Sequence, residues 1–168
     1  MNCRNCGGAL RLDSGREALA CDFCHTLVYP EPNEEGVRVF EAGTGEMCPV
    51  CRQELRHASY LGKRLGYCTK CLGMLLDLDS FGALVQIVRA RRDRIPEPPR
   101  PLDPMELERV IDCPRCHQRM DTHPYAGPGN IVIDNCPDCR LNWLDHNELR
   151  RVTTAPDTQL NPDAWFAP

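Results

Sequence analysis

Cys136-Pro137-Asp138-Cys139-Arg140-Leu141-Asn142-Trp143-Leu144-Asp145-His146-Asn147-Glu148-Leu149 holds two cysteines separated by two residues, an aromatic that could roof them, and the start of a helix. A Cys-x-x-Cys knuckle closed by a tight turn can aim both thiolates at one tetrahedral ion. Its partner lies upstream at Cys113-Pro114-Arg115-Cys116, with nineteen residues between Cys116 and Cys136. Four thiolates at that spacing are the signature of a zinc ribbon. The arrangement recurs: Cys48 and Cys51 face Cys68 and Cys71 across sixteen residues, and Cys3 and Cys6 face Cys21 and Cys24 across fourteen. All twelve cysteines are thereby assigned to six knuckles and three four-ligand sites.

A repeat of this kind outranks chain length in setting the organisation. At 168 residues the length suggests one domain, but the cysteines divide the chain into three modules. Units of that size bury too little apolar surface to fold without a metal or cross-link. Structural zinc in finger peptides contributes on the order of 10–16 kcal/mol of apparent binding energy, which fills that gap. A secreted disulfide scaffold would need an export signal, and Met1-Asn2-Cys3-Arg4-Asn5-Cys6 has no apolar core of the kind such signals carry. The most apolar stretch, 73–88, is interrupted by Asp77 and Asp79 and is too short to span a bilayer. The expectation is a cytoplasmic protein whose cysteines are metal ligands rather than bridges.

The expected fold class is small, metal-bound α+β, with three tandem zinc ribbons of β-hairpin knuckles, the second and third followed by a helix. Residues 1–29 form the first ribbon and 30–46 an acidic connector with one strand at Val37 to Phe40. Residues 47–94 form the second ribbon and its helix, in which Phe81, Leu84, Val85 and Val88 recur at helical spacing behind an N-cap at Asp79 or Ser80. Its hairpin turns at Gly62 or Gly66. Residues 95–104 form a proline-rich linker, and 105–153 carry a short helix to about Ile111 plus the third ribbon. There the hairpin turns within 126–130, and Asp145 to Glu148 spell a capping box. Residues 154–168 read as a flexible tail carrying the aromatic pair Trp165-Phe166, a candidate partner contact. Leu10, Leu55 and Met120 each stand four residues beyond a knuckle's second cysteine, placed to cover a metal site from the hairpin side.

The formal net charge is −4 with cysteines neutral. Three loaded four-thiolate sites lower it to about −10, since each adds about −2. A chain that acidic is not built as a whole for nucleic acid. The middle module alone is basic, with nine basic and four acidic side chains between 47 and 94. Lys63, Arg64, Lys70, Arg89, Arg91, Arg92 and Arg94 are its candidate nucleic-acid surface, against which stands the plainer reading of a solvated helix end.

The second and third modules resemble the zinc-ribbon family named after transcription factor IIB. Its pattern is Cys-Pro-x-Cys, an apolar residue four on, a hairpin, then Cys-x-x-Cys-x-Gly-x-Trp-Leu-Asp and Glu-Leu. The third module matches at Cys113-Pro114, Cys116, Met120, Cys136-Pro137, Cys139, Trp143-Leu144-Asp145 and Glu148-Leu149, but Leu141 stands where the glycine belongs. The second matches at Cys48-Pro49, Cys51, Leu55, Cys68, Cys71, Gly73 and Leu76-Asp77, with Leu75 replacing the tryptophan and Phe81 aligned with the leucine. The resemblance implies metal and fold rather than an activity. The first module is similar only to generic zinc ribbons or rubredoxin-like knuckles.

Cys21 to His25 and Cys113 to His117 each spell a c-type haem attachment sequence, but each of these knuckles already has a partner knuckle. No His-Glu-x-x-His pattern, phosphate-binding glycine loop or nucleophile elbow is present, and His57, His123 and His146 read as surface residues. Four cysteines leave no coordination position for water, so the sites read as structural and the chain as non-enzymatic. The expected cofactors are three zinc ions, with iron open at the first site because four thiolates hold either metal. The expected function is a protein-binding adaptor. Nucleic-acid binding through the second module is the alternative, and metal buffering or redox sensing a second. Neither a membrane nor a small-molecule substrate is expected.

Overall fold

The computed structural model describes residues 2–13, 18–91, 100–125 and 130–156. Two antiparallel sheets and three helices are built from them. The first sheet has the order β1-β2-β3, from Leu10–Asp13, Ala18–Cys21 and Leu27–Val28. Its core is slight: among the described residues, Cys3, Ala18, Leu19 and Cys21 are the buried hydrophobics of this module.

The second sheet has seven strands in the order β4-β5-β6-β7-β10-β9-β8. Strands β4 (Arg38–Met47), β5 (Glu54–Tyr60), β6 (Lys63–Tyr67) and β7 (Met74–Asp77) come from the acidic connector and second module. Strands β8 (Asp121–Pro124), β9 (Val132–Cys136) and β10 (Leu141–Leu144) come from the third. The two halves join because β7 and β10 pair antiparallel, with Leu141 opposite Asp77, Trp143 opposite Leu75 and Leu144 opposite Met74. The second and third modules therefore share one sheet rather than hanging separately on a linker. Residues 30–46 supply its long edge strand, broken by register shifts between Val39 and Met47, where one strand at Val37 to Phe40 had been expected.

Side chains alternate across a strand, and here both faces are apolar. One face, with Met74, Leu76 and Leu144, is covered by helices α1 (Leu78–Ala90) and α3 (Glu148–Thr154) through Phe81, Leu84, Val85, Leu149 and Val152. The other face, with Leu55, Leu75, Leu141 and Trp143, packs against the cysteines. Phe81 meets Tyr125 edge-on, with ring centroids 5.2 Å apart.

Local chemistry sets the boundaries. Asp77 rather than Asp79 or Ser80 caps α1, its Oδ1 accepting from Ser80 N at 2.8 Å, because the chain leaves the seam strand directly into the helix. Helix α2 (Pro104–Leu107) starts with Pro104 behind the cap Asp103 but stops after one turn, well short of Ile111. The residues beyond it leave the helix so that Asp112 can bridge Arg119 and Met120 N can bond Ile111 O. The capping box at α3 is half formed: Asp145 N donates to Glu148 Oε2 at 2.7 Å, while the Asp145 carboxylate is engaged elsewhere, by Trp143 and Arg109. Residues 126–129 of the expected hairpin turn lie outside the described residues.

The β5–β6 hairpin turns on Leu61-Gly62, both at positive φ (47° and 81°), a two-residue turn of type I′. Leucine is a poor choice there, since a left-handed conformation costs an L-residue about 1–2 kcal/mol and asparagine tolerates it better. Leu61→Asn should therefore raise unfolding stability by about 0.5–1 kcal/mol, measured by chemical denaturation of the metal-loaded protein.

Candidate metal centres

Each knuckle is one local solution repeated. The residue after its second cysteine takes a left-handed conformation in all six: Gly7, His25, Arg52, Leu72, His117 and Arg140. That reversal closes the turn. In five of the six the residue donates its N–H to the carbonyl of the first cysteine, as Arg52 N does to Cys48 O at 3.0 Å and His117 N to Cys113 O at 2.9 Å. Arg140 N reaches Pro137 O instead, at 3.3 Å. Backbone amides also point at sulfur: Asn5 N at Cys3, Cys51 N at Cys48 and Arg115 N at Cys113, all at 3.4–3.5 Å. Such donors favour the thiolate form that a metal requires.

The six knuckles converge in pairs as their spacing implied. Cys3, Cys6, Cys21 and Cys24 form one group, Cys48, Cys51, Cys68 and Cys71 the second, and Cys113, Cys116, Cys136 and Cys139 the third. Within each, all four sulfurs lie within 4.8 Å of one another. Cross-knuckle separations include 3.6 Å for Cys3–Cys24, 3.3 Å for Cys51–Cys68 and 3.6 Å for Cys116–Cys136. Zinc–sulfur bonds of about 2.3 Å in a tetrahedron put sulfurs about 3.8 Å apart. The donor set thus fits a four-thiolate ion. These separations are far too long for disulfides, and none of the twelve cysteines is bridged to another.

The second and third centres are set into the sheet's interior. Leu55 and Met120 are buried beside them, as their positions implied, whereas Leu10 of the first module is only half-buried. Trp143 is fully buried in the same cluster as Cys48, Cys68, Cys113 and Cys136. It reaches the second module as well as its own: a Cβ placed on Gly73 would sit 2.2 Å from Trp143 Cζ2. Gly73 is the residue that makes room for the indole.

Sequence reasoning did not find the polar network beside the third centre. Arg109 bridges two carboxylates, with Nη2 at 2.6 Å from Asp134 Oδ2 and Nη1 on Asp145 Oδ2. Thr122 Oγ1 donates to Asp134 Oδ1 at 2.6 Å, and Trp143 Nε1 to Asp145 Oδ1 at 3.0 Å. The signal lay in the Trp-Leu-Asp motif, whose aspartate fixes the indole from which it stands two residues away. Burial raises the Asp134 carboxyl above the ordinary range in spite of Arg109. It pushes Glu148 up to about 8, reinforced by the neighbouring Asp145 and Glu106 carboxylates.

A carboxyl raised in the fold favours folding below its ordinary value, near 4.5. That contribution is lost as pH climbs through the raised value, because the folded state then resists giving up its proton. Glu148→Gln should accordingly gain stability relative to the parent protein as pH rises from about 5 to about 8. Denaturation of both proteins at each pH isolates the difference from the thiolates' own pH dependence.

The other candidate residues are dispersed. Arg89 Nη1 donates to Val152 O and Ala155 O, at 2.8 and 3.1 Å, and so holds the end of α3. Lys63 and Arg64 are consecutive on β6 and so point to opposite faces of the strand, Lys70 is exposed in a knuckle, and Arg91 is exposed after α1. Arg92, Arg94, Trp165 and Phe166 lie outside the described residues. His146 pairs with Glu35 at 2.9 Å, tying the connector to the third module. No helix among the described residues is long and apolar enough to cross a membrane.

Among known proteins, residues 112–155 match the family described as transcription factor zinc-finger, a zinc ribbon of the transcription factor IIB type. The match covers the third ribbon. No curated protein and no solved structure matches the chain.

Proposed function

We propose that this chain is a non-enzymatic, cytoplasmic protein-binding scaffold in which three structural zinc ions hold three ribbons, the second and third each trailed by a helix. The third centre has the family match behind it. The second is read as another copy of that ribbon on the strength of Cys48-Pro49, Gly73 and Leu76-Asp77. Zinc is preferred at all three centres, and iron in the first would reveal itself by colour.

The observation that carries the adaptor reading is where the apolar surface lies. Phe23 and Val50 occupy the tips of knuckles in the first and second modules, 75% and 46% exposed. Met105 and Val110, near the start of the third module, are 77% and 56% exposed. A thiolate site fixes each knuckle rigidly, so an apolar side chain on it is presented at low conformational cost, as a binding anchor requires. Crosslinking capture should recover a discrete partner that Phe23→Ser/Val50→Ser loses at unchanged zinc content. Equal capture by both proteins would reject this surface.

Nucleic-acid binding remains the second reading, favoured by the exposed Arg64, Lys70 and Arg91 but weakened by the engagement of Arg89 with α3. Fluorescence anisotropy at low salt decides it. Binding that Lys63→Glu/Arg64→Glu abolishes would support it, and no binding would remove it.

A further inference from the structure

The seam between β7 and β10 carries an asymmetry that neither ribbon explains alone. Leu75 and Trp143 each stand four residues beyond the last cysteine of their ribbon, and they are directly opposed across the seam. The local two-fold of the antiparallel β7–β10 pair therefore passes between these two residues. Two residues beyond the same cysteines stand Gly73 and Leu141. Trp143 lies where any side chain on Gly73 would be, while Leu75 and Leu141 share the same buried cluster.

The two halves of the seam thus fill their space differently: Trp143 fits against Gly73, a large side chain against none, while Leu75 and Leu141 are two side chains of equal, middling size. The fit is specific to unlike ribbons. Two copies of the second would meet with two glycines and two leucines, leaving a void. Two copies of the third would drive each tryptophan onto a leucine. Specificity of this sort comes from the clash in the wrong pairing as much as from the fit in the right one. It also accounts for the loss of the family glycine at Leu141: the residue that shares its buried cluster from the other ribbon is Leu75, not a tryptophan.

We infer that the second and third centres take up metal as one coupled pair, with Trp143 as the positioning residue that transmits the coupling, and that the first centre binds independently. This rests on the reading of the thiolate groups as metal sites. Cys48 and Cys68 of one centre, and Cys113 and Cys136 of the other, lie in a single buried cluster with Trp143 and Leu75. A ribbon ordered by its ion completes the seam against which the other must order. Coupling between two sites is reciprocal, so each must gain from the other by the same factor. The first centre belongs to a different sheet.

Zinc competition against a chromophoric chelator tests this on full-length chains. Cys113→Ser/Cys116→Ser should weaken the second centre at least tenfold, and Cys48→Ser/Cys51→Ser should weaken the third by the same factor. Cys3→Ser/Cys6→Ser should leave both within twofold. A second centre within twofold of its normal affinity when the third is disabled would overturn the coupling. A parent protein that takes up fewer than three zinc equivalents would instead overturn the metal reading beneath it. With all cysteines kept, Gly73→Leu should weaken both centres together and leave the first unchanged, and adding Trp143→Leu should restore much of the loss. Failure of that rescue would show that Trp143 does not carry the coupling.

Discussion

Stripping the metal with a strong chelator under reducing conditions should abolish the first ribbon outright and unfold the seven-stranded sheet. The physical reason is where the apolar surface is buried. Among the described residues, the first module's buried hydrophobics number four, and two of them, Cys3 and Cys21, belong to its thiolate group. In the larger unit one face of the sheet is closed by a cluster of ten buried residues, of which Cys48, Cys68, Cys113 and Cys136 are ligands. Without an ion, four sulfurs held within 4.8 Å repel as thiolates or lose packing as thiols. On the order of 10 kcal/mol of apparent binding energy per site is then forfeited, comparable to the whole stability of a small domain. Far-UV circular dichroism should collapse on chelation and recover on adding three equivalents of zinc.

The second large effect expected is from Trp143→Ala. Truncating a fully buried tryptophan costs about 3–5 kcal/mol through lost transfer energy and the cavity left behind. Here the void opens between two modules, beside Gly73, which offers no side chain to fill it. The substitution also removes the indole N–H that satisfies Asp145. The parent protein should unfold in one transition for residues 38–154, and the variant at markedly lower denaturant. Trp143→Phe, which keeps an aromatic body but no N–H, should fall between the two. If Trp143→Ala cost less than about 1 kcal/mol, the indole would not be the keystone that its burial implies.

How much of this was legible in the residues follows from how local each feature is. Cys-x-x-Cys spacing is a short-range constraint, so all twelve ligands and their grouping could be read directly. Strands flanking Leu10, Tyr60 and Leu65, and the apolar face of α1, follow from alternation or helical period within a few residues. The β7–β10 seam could not be found that way, because nothing in Met74–Asp77 alone says what it pairs with. Its only trace was a double departure from pattern: leucine for tryptophan at 75 and leucine for glycine at 141. Read singly these are defects, and read together they are the two halves of one fit. The Arg109 network was hidden for a similar reason. Its members, Arg109, Thr122, Asp134 and Asp145, are brought together only when the hairpin closes on the segment after α2. The cap of α1 fell on Asp77 because β7 runs straight into the helix, a fact about the sheet that helical periodicity does not contain.

Hydrogen exchange at Met74–Asp77 and Leu141–Leu144 addresses most directly the idea that metal and seam together make one sheet of two ribbons. With zinc bound, the alternate amides that bond between β7 and β10 should be protected to the same degree as those in the hairpins on either side. After chelation, both strands should lose protection together. Rapid exchange of those seam amides in the loaded protein, as expected of two free sheet edges, would contradict it. So would protection that survives removal of the metal.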